Sequence, residues 1–483
     1  MILHSAWQKC FNFLPGKPIV AEPVQESLTS DAGLLPIRQF DEQLGLTAQF
    51  VGALRDGRCA AQISHTLAEM TRSRIYGILA DYEDQNDHGT LRGDPVFKLL
   101  AGRQLNEPDL ASQPTLSRFE NGVSVASLFR LRDVLIDQFI ASFSAPPRRL
   151  TLDIDTFDDP AHGQQQLTFF HGYYDQYQYL PRAITCAEND LVVMVCLLHG
   201  SAHPALGADS DVEYLLRRLR AAWPDVRIEL RGDSGFGLPA MYEVCERLDV
   251  QYTFGLTMNA TLKQNSSPLL AHAQVEYERT GQPQRLFCDF WYQARSWPAQ
   301  RRVVVKVEVH AQGTNRRAVV SNRPGVFVLP GATYDAYVDR GESENRNKEL
   351  KRGLAADRLS DHRYLANLFR LYLHTAAHNL LVRLRHLVAE PPAPPRVEPD
   401  LPVEVRSPSQ KRRYFNRRRQ HDPLGEGHPC TWQTRLIKVA ARVRQTTRRV
   451  VVELSGCWPY LAEYARVSDC VLAFSIGLDP APD

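Results

Sequence analysis

The stretch RRLTLDIDTFDDPAHG, residues 148–163, marks a change of texture in the chain. Before it, apolar residues recur at helical spacing. From Arg148 onward they fall into short β-rich runs. Read as a strand, RRLTLDID sends successive side chains to opposite faces. Leu152 and Ile154 then share one face, and Asp153 and Asp155 the other. Two carboxylates on a core-type strand are costly unless a cation compensates. A bound metal and a salt bridge to Arg are both open readings.

Outward from this strand, YLPRAITCA, DLVVMVCLLHG, VRIELRGD and VQYTFGL continue the β pattern. SDVEYLLRRLRAAW and GLPAMYEVCERL intervene as helices. Three successive strands followed by helix–strand–helix–strand predict an α/β fold with a mixed sheet over residues 147–260. Residues 261–333 read as a β-rich insertion built from AQVEYE, RLFCDFWYQA, RRVVVKVEVH and RRAVVSN, with no helix. Residues 334–388 read as helical, 389–409 as a Pro-rich extended linker, and 410–483 as a small basic C-terminal region. Residues 1–146 read as a mostly helical N-terminal region. Within it, QPTLSRFE (113–120) resembles a recognition helix, with Thr115, Ser117 and Arg118 near its start and able to reach bases or phosphates. An ordinary capped helix is an equal reading.

Two further acidic positions stand out. Asp233 ends VRIELRGD and enters the Gly-rich turn DSGFG. In α/β sheets, ligands bind outside the carboxyl ends of strands. The second is AYVDRGESENRNKELKRG, residues 336–353, which reads as one charged helix with little to bury. At about 100° per residue, Tyr337, Arg340, Glu344 and Lys351 fall within an arc of roughly 60°. The ordinary reading of such a stripe is a solvated face of ion pairs. Combined with two strand aspartates, Glu344 instead completes an oxygen-donor set suited to Mg²⁺ or Mn²⁺. Two such ions could clamp the attacking and leaving oxygens of an in-line phosphoryl displacement. Arg340 and Lys351 would hold phosphates, and Tyr337 a phosphate, sugar or base.

Bulk properties narrow the class. The 483 residues suffice for two to four domains, and net charge is only +2. Basic residues nonetheless concentrate in QKRRYFNRRRQ (410–420), where Arg412, Arg413, Arg417 and Arg418 favour a phosphate backbone or form a basic linker. Nine scattered cysteines show no C-x-x-C spacing, which speaks against a zinc ribbon or a disulfide framework. No signal-peptide pattern or membrane-spanning run is present, so a cytoplasmic protein is expected.

Tyr337-x2-Arg340-x3-Glu344-x6-Lys351 resembles the Y-R-E-K pattern of bacterial insertion-sequence transposases of the DDE class. DIDT, RGDSGFG, FFHGYYDQYQYLPRAITC and LASQPTLSRFEN look like a branch distantly related to piggyBac-type transposases. The resemblance covers roughly residues 30–385. It implies an RNase H-like catalytic core, two Mg²⁺ ions (with Mn²⁺ as a substitute) at Asp155, Asp233 and Glu344, and DNA strand cleavage and transfer. It also implies a homodimer acting on terminal inverted repeats and target DNA. Asp155 is preferred over Asp153 because relatives place Thr after the first Asp, and Thr156 follows here; Asp153 stays open. Some relatives flip a base onto a Trp of the insertion, which points to Trp291 and Trp297. A nuclease of the same fold without strand transfer, or a catalytically silent DNA-binding regulator, are the competing readings.

Overall fold

The computed structural model describes residues 9–390 and 417–474. Most of the Pro-rich linker, together with Arg412 and Arg413, lies outside the described residues.

Runs rich in Val, Ile, Leu and aromatic residues build the strands expected from residue 148 onward. These are β1 (Arg149–Thr156), β2 (Gln176–Cys186), β3 (Val192–Leu198), β4 (Arg227–Gly232), β5 (Gln251–Leu256), β6 (Gln284–Tyr292), β7 (Arg301–His310) and β8 (Gly313–Ser321). They form one mixed sheet in the order β6-β7-β8-β5-β4-β1-β2, with β3 also paired to β2. The neighbours β1, β4 and β5 run parallel, and the other pairs are antiparallel. Parallel neighbours need long crossovers. The connection from β1 to β4 runs through β2, β3 and helix α4 (Ala208–Ala222), and β4 reaches β5 through α5 (Pro239–Arg247).

Two expectations for the second half of the chain need correction. AQVEYE is not a strand: it lies in α6 (Ser267–Thr280), preceded by a short helix at Ala260–Asn265. Pro268 in the first turn and Gly281 with φ +67° just past the end are ordinary helix boundaries. The three later segments are strands, as read, and they extend the main sheet beyond β5 rather than standing apart from it.

The stretch 336–353 is also not a single α-helix. Helix α7 (Pro330–Val338) ends before Asp339, α8 spans Gly341–Lys348, and Glu349–Gly353 opens into a wider π turn. At the join, the Arg340 N–H donates to the Tyr337 carbonyl three residues back, tightening the turn. At the far end, the Leu354 N–H donates to Glu349 five residues back.

The long helix α9 (Tyr364–Val388) is buried on most sides and supplies Phe369, Leu373, Leu380 and Leu384 to the larger apolar core. Asn379 bonds both backbone groups of Val192 at the start of β3. The same core takes in the N-terminal helices together with Trp432, Leu436 and Ile437, so the described C-terminal residues pack with the N-terminal ones. Strand pairing repeats this link, since Ala441–Gln445 pairs with Leu28–Thr29. A second apolar core lies within the main sheet and α4, α5 and α6. Among the described residues no helix is long and apolar enough to cross a membrane. Every cysteine is free.

Candidate functional site

Strand register brings the two aspartate motifs together. In the parallel pair β1–β4, Asp153 stands opposite Arg231 and Ile154 opposite Gly232. The next row is therefore Asp155 beside Asp233, at the carboxyl ends of adjacent strands. Asp153 and Arg231 satisfy each other through two 2.7 Å hydrogen bonds. The same guanidinium donates to the Ala336 carbonyl at 2.6 Å, so this pair also holds α7 against the sheet. The salt-bridge reading of the Asp153 position is thus realised within the chain.

The Asp155 row has no such balance. One carboxylate oxygen of Asp155 accepts from the Thr156 N–H at 2.9 Å, and the other from Arg340 at 3.0 Å. The second nitrogen of Arg340 lies 3.8 Å from Glu344, which is 51 % exposed. Asp233 accepts from the Gly235 N–H, which fixes its turn. Burial pushes the Asp155 carboxyl up to about 6, Arg340 opposes the shift, and the charges of Asp233 and Glu344 add to it. Among the described residues, these three carboxylates all act on the Arg340 guanidinium. Tyr337 packs into the same corner. A Cβ built on Gly255 would sit 2.9 Å from the Tyr337 hydroxyl and 2.7 Å from the Ser234 nitrogen. Only a residue without a side chain lets β5 approach the Asp233 turn this closely.

Lys351 reaches the chain just past β1, where its ammonium pairs with Asp158. Gln176 also donates to Asp158, at 3.3 Å. Sequence reasoning missed Asp158 and Gln176, although both lie in segments it had singled out, TFDDPAHG and FFHGYYDQYQYLPRAITC. The π turn that carries Lys351 is anchored by buried Glu349. Burial alone would raise this carboxyl, but His428, Arg385 and Arg346 hold it far below the usual range.

The remaining predicted residues lie elsewhere. Thr115, Ser117 and Arg118 are on α2 (Gln113–Asn121), which is clamped by Glu120. That buried carboxylate bonds Arg74 at 2.7 Å and Arg370 at 2.5 Å. Arg118 is exposed and donates to Thr115 at 3.1 Å. Among the described residues, no hydrogen bond or ion pair joins these three to the acidic site. Arg418 pairs with Glu426, and Arg417 is exposed. Trp297 is core, 5 % exposed and packed on Tyr242 and Tyr292, so it offers no free stacking face. Trp291 is 70 % exposed but lies on edge strand β6, five strands from β1. At about 4.8 Å per strand that is roughly 24 Å from the acidic row.

The donor set suits a hard divalent cation in its chemistry. It is all oxygen, it carries excess negative charge, and the Asp155 carboxyl is raised by burial and further by its acidic neighbours. Among the described residues no group of three or more His, Cys, Asp or Glu comes together so as to hold a metal ion, so Asp155, Asp233 and Glu344 form no ready-made cage. Mg²⁺ usually takes only one or two carboxylates and completes its shell with water and substrate phosphate, so it needs no such cage.

No curated protein sequence is significantly similar to the chain. A solved structure described as the cryo-EM structure of the piggyBac transposase synaptic complex with hairpin DNA aligns with a TM-score of 0.39 and 12 % identity, over 75 % of this chain and 78 % of that one. The decisive match is in sequence: residues 11–398 fit the family model of the transposase DDE domain, group 1, and the chain belongs to that family.

Proposed function

We propose that this transposase cuts and rejoins DNA at the terminal inverted repeats of a bacterial insertion sequence, with an RNase H-like core as its catalytic unit. Asp155, Asp233 and Glu344 would hold two Mg²⁺ ions, with Mn²⁺ as a substitute. The observation that carries this reading is the parallel register that sets Asp155 beside Asp233, with Arg340 bridging towards Glu344. When bound, the ions would supply Lewis-acid activation of the scissile phosphate and neutralise developing charge. The chain's own residues do the rest. Arg340 balances the buried carboxylates in the free protein and can offer its planar fork to a phosphate once cations take over that charge. Lys351, held near the end of β1 by Asp158, offers a point charge to the neighbouring phosphate. Tyr337 lines the same corner and can contact a sugar or base. Thr115, Ser117 and Arg118 on α2 would read end DNA, and the cluster Arg412, Arg413, Arg417 and Arg418 would hold its backbone. The working unit is a homodimer bridging two ends in the bacterial cytoplasm.

The test uses oligonucleotides copied from the inverted repeats flanking the gene, incubated with Mg²⁺ or with chelator. Metal-dependent cleavage followed by joining to a target duplex is the expected result. Cleavage without joining would make the protein a nuclease, and binding without cleavage a regulator.

A further inference from the structure

The run FFHGYYDQY, residues 169–177, sets six rings within nine residues, and the chemistry above uses none of them. Phe169–His171 pairs with Gln176–Gln178 as a tight hairpin. The turn closes with the Tyr174 and Asp175 N–H groups both donating to the His171 carbonyl, and Asp175 takes φ +53°. The hairpin is seated firmly. A Cβ built on Gly200 would lie 2.0 Å from the Gln178 oxygen and 2.3 Å from the Phe169 oxygen, so the loop after β3 presses directly on its backbone.

Its position follows from register. β2 runs antiparallel to β1, with Asp155 opposite Ala183 and Thr156 opposite Arg182. Residues 181 back to 176 of β2 therefore extend past the carboxyl end of β1, towards the side where the acidic row lies. Side chains confirm the proximity. Gln176 donates to Asp158, the partner of Lys351. Burial, then the charges of Asp158 and Asp155, push the Tyr174 phenol up to about 12.

The rings at the tip are left to solvent. Tyr173 is 85 % exposed and Tyr177 63 %, and Phe169 and Phe170 are each exposed by more than two fifths. Tyr173 meets Tyr174 edge-on at 5.0 Å, and Phe170 meets Tyr177 at 5.7 Å. A soluble protein seldom spends this much aromatic surface on water unless something covers it.

We propose that the 169–177 hairpin is a stacking platform for unpaired DNA bases next to the acidic site, with Tyr173 and Tyr177 as its open faces. The proposal rests on the reading of that site as the place of strand cleavage. A strand whose phosphate reaches Asp155 and Asp233 has its neighbouring nucleotides within reach of the hairpin. Aromatic faces hold such bases without sequence preference once they leave the duplex. The anionic floor argues against a lipid or an acidic peptide. A base presents a neutral ring to the hairpin while its phosphate is held by Arg340, Lys351 and the bound cations.

The experiment measures binding of the full-length protein, in chelator, to a duplex of about 20 base pairs, either blunt or with a tail of about five thymidines. A 2-aminopurine beside the junction reports stacking. Wild type should favour the tailed duplex and quench the probe. Tyr173→Ala with Tyr177→Ala should lose about tenfold or more of that preference, together with the quench, and leave blunt-duplex affinity unchanged. Tyr173→Phe with Tyr177→Phe should keep both and so exclude misfolding as the cause. Equal loss on both DNAs, or no loss on either, overturns the proposal. A shift from dimer to monomer with DNA preference intact overturns it too, and would assign the hairpin to a contact between copies. Asp233→Asn separates the two readings, since it should still quench but not cleave. If it cleaves normally, the site reading fails while the stacking result stands by itself.

Discussion

Two rows of one strand pair carry opposite electrostatic plans. Asp153 and Arg231 face each other across β1 and β4 and form a two-bonded pair that is closed within the fold. One step along, Asp155 and Asp233 face each other as like charges, with a single guanidinium from α8's leading edge and a third carboxylate beyond it. The first row is buried, whereas Asp155 and Asp233 are partly open to water. The difference shows what a buried charge is for: a matched pair fastens elements together, whereas an unmatched set leaves negative charge for something that arrives. Burial raises the Asp153 carboxyl as well as that of Asp155, so a raised carboxyl alone does not mark the site; crowding by further carboxylates does.

The sharpest way to break this contrast is to neutralise each row. Asp155→Asn, Asp233→Asn and Glu344→Gln should each lower Mg²⁺-dependent cleavage by about ten-thousandfold or more, with end binding nearly intact in a mobility-shift assay. Asp153→Asn should do the reverse. It breaks a buried pair and should cost about 3–5 kcal/mol in denaturant unfolding, while cleavage per folded molecule falls far less. If Asp153→Asn is the variant that loses cleavage and Asp155→Asn is not, the two rows have been assigned the wrong way round.

A smaller effect tests the imbalance through pH. The folded Asp155 carboxyl sits at about 6 against a usual 3.8. A raised value means that the folded state binds the proton more tightly than the unfolded chain. Its contribution to stability is therefore fully present below pH 4 and lost as pH rises through 6. Without divalent metal, Asp155→Asn should be more stable than wild type at pH 7 by up to about 3 kcal/mol. The gap should close on acidification towards pH 4, and also on adding Mg²⁺ at pH 7. A gap independent of both would mean that Asp155 is already balanced.

The smallest effect concerns the helical segment. Lys351→Ala should reduce cleavage by about ten- to hundredfold, and exposed Lys348→Ala by less than about twofold, with melting temperatures within a degree or two of wild type for both. Equal, mild losses would return residues 341–353 to a plain solvated face.

Much of this was legible in the chain. Short β-rich runs found β1 to β5, and alternation along the first of them put Asp153 and Asp155 on one face. Where local rules failed, two signals were in conflict. AQVEYE alternates like a strand, but Pro268 and Gly281 bracket a helix, and packing of Ala273 into the sheet's core decided between them. The stripe over 336–353 requires uniform α-helical geometry. A tightened turn at Arg340 and a widened one after Lys348 replace that geometry, so Arg340 and Lys351 face different acids.

The sequence by itself determined which residues could carry the chemistry, because residue type and short-range periodicity are local properties. Asp155, Asp233, Arg340, Glu344 and Lys351 were all nameable without coordinates. Only the tertiary structure decided which charges are already matched. The closure of Asp153 by Arg231, the pairing of Lys351 with Asp158, the burial of Trp297 and the reach of the 169–177 hairpin towards the acidic row all depend on partners far apart in the chain. A charge acts through its nearest neighbours in space. No spacing along the sequence states which strand will lie beside which, or in what register.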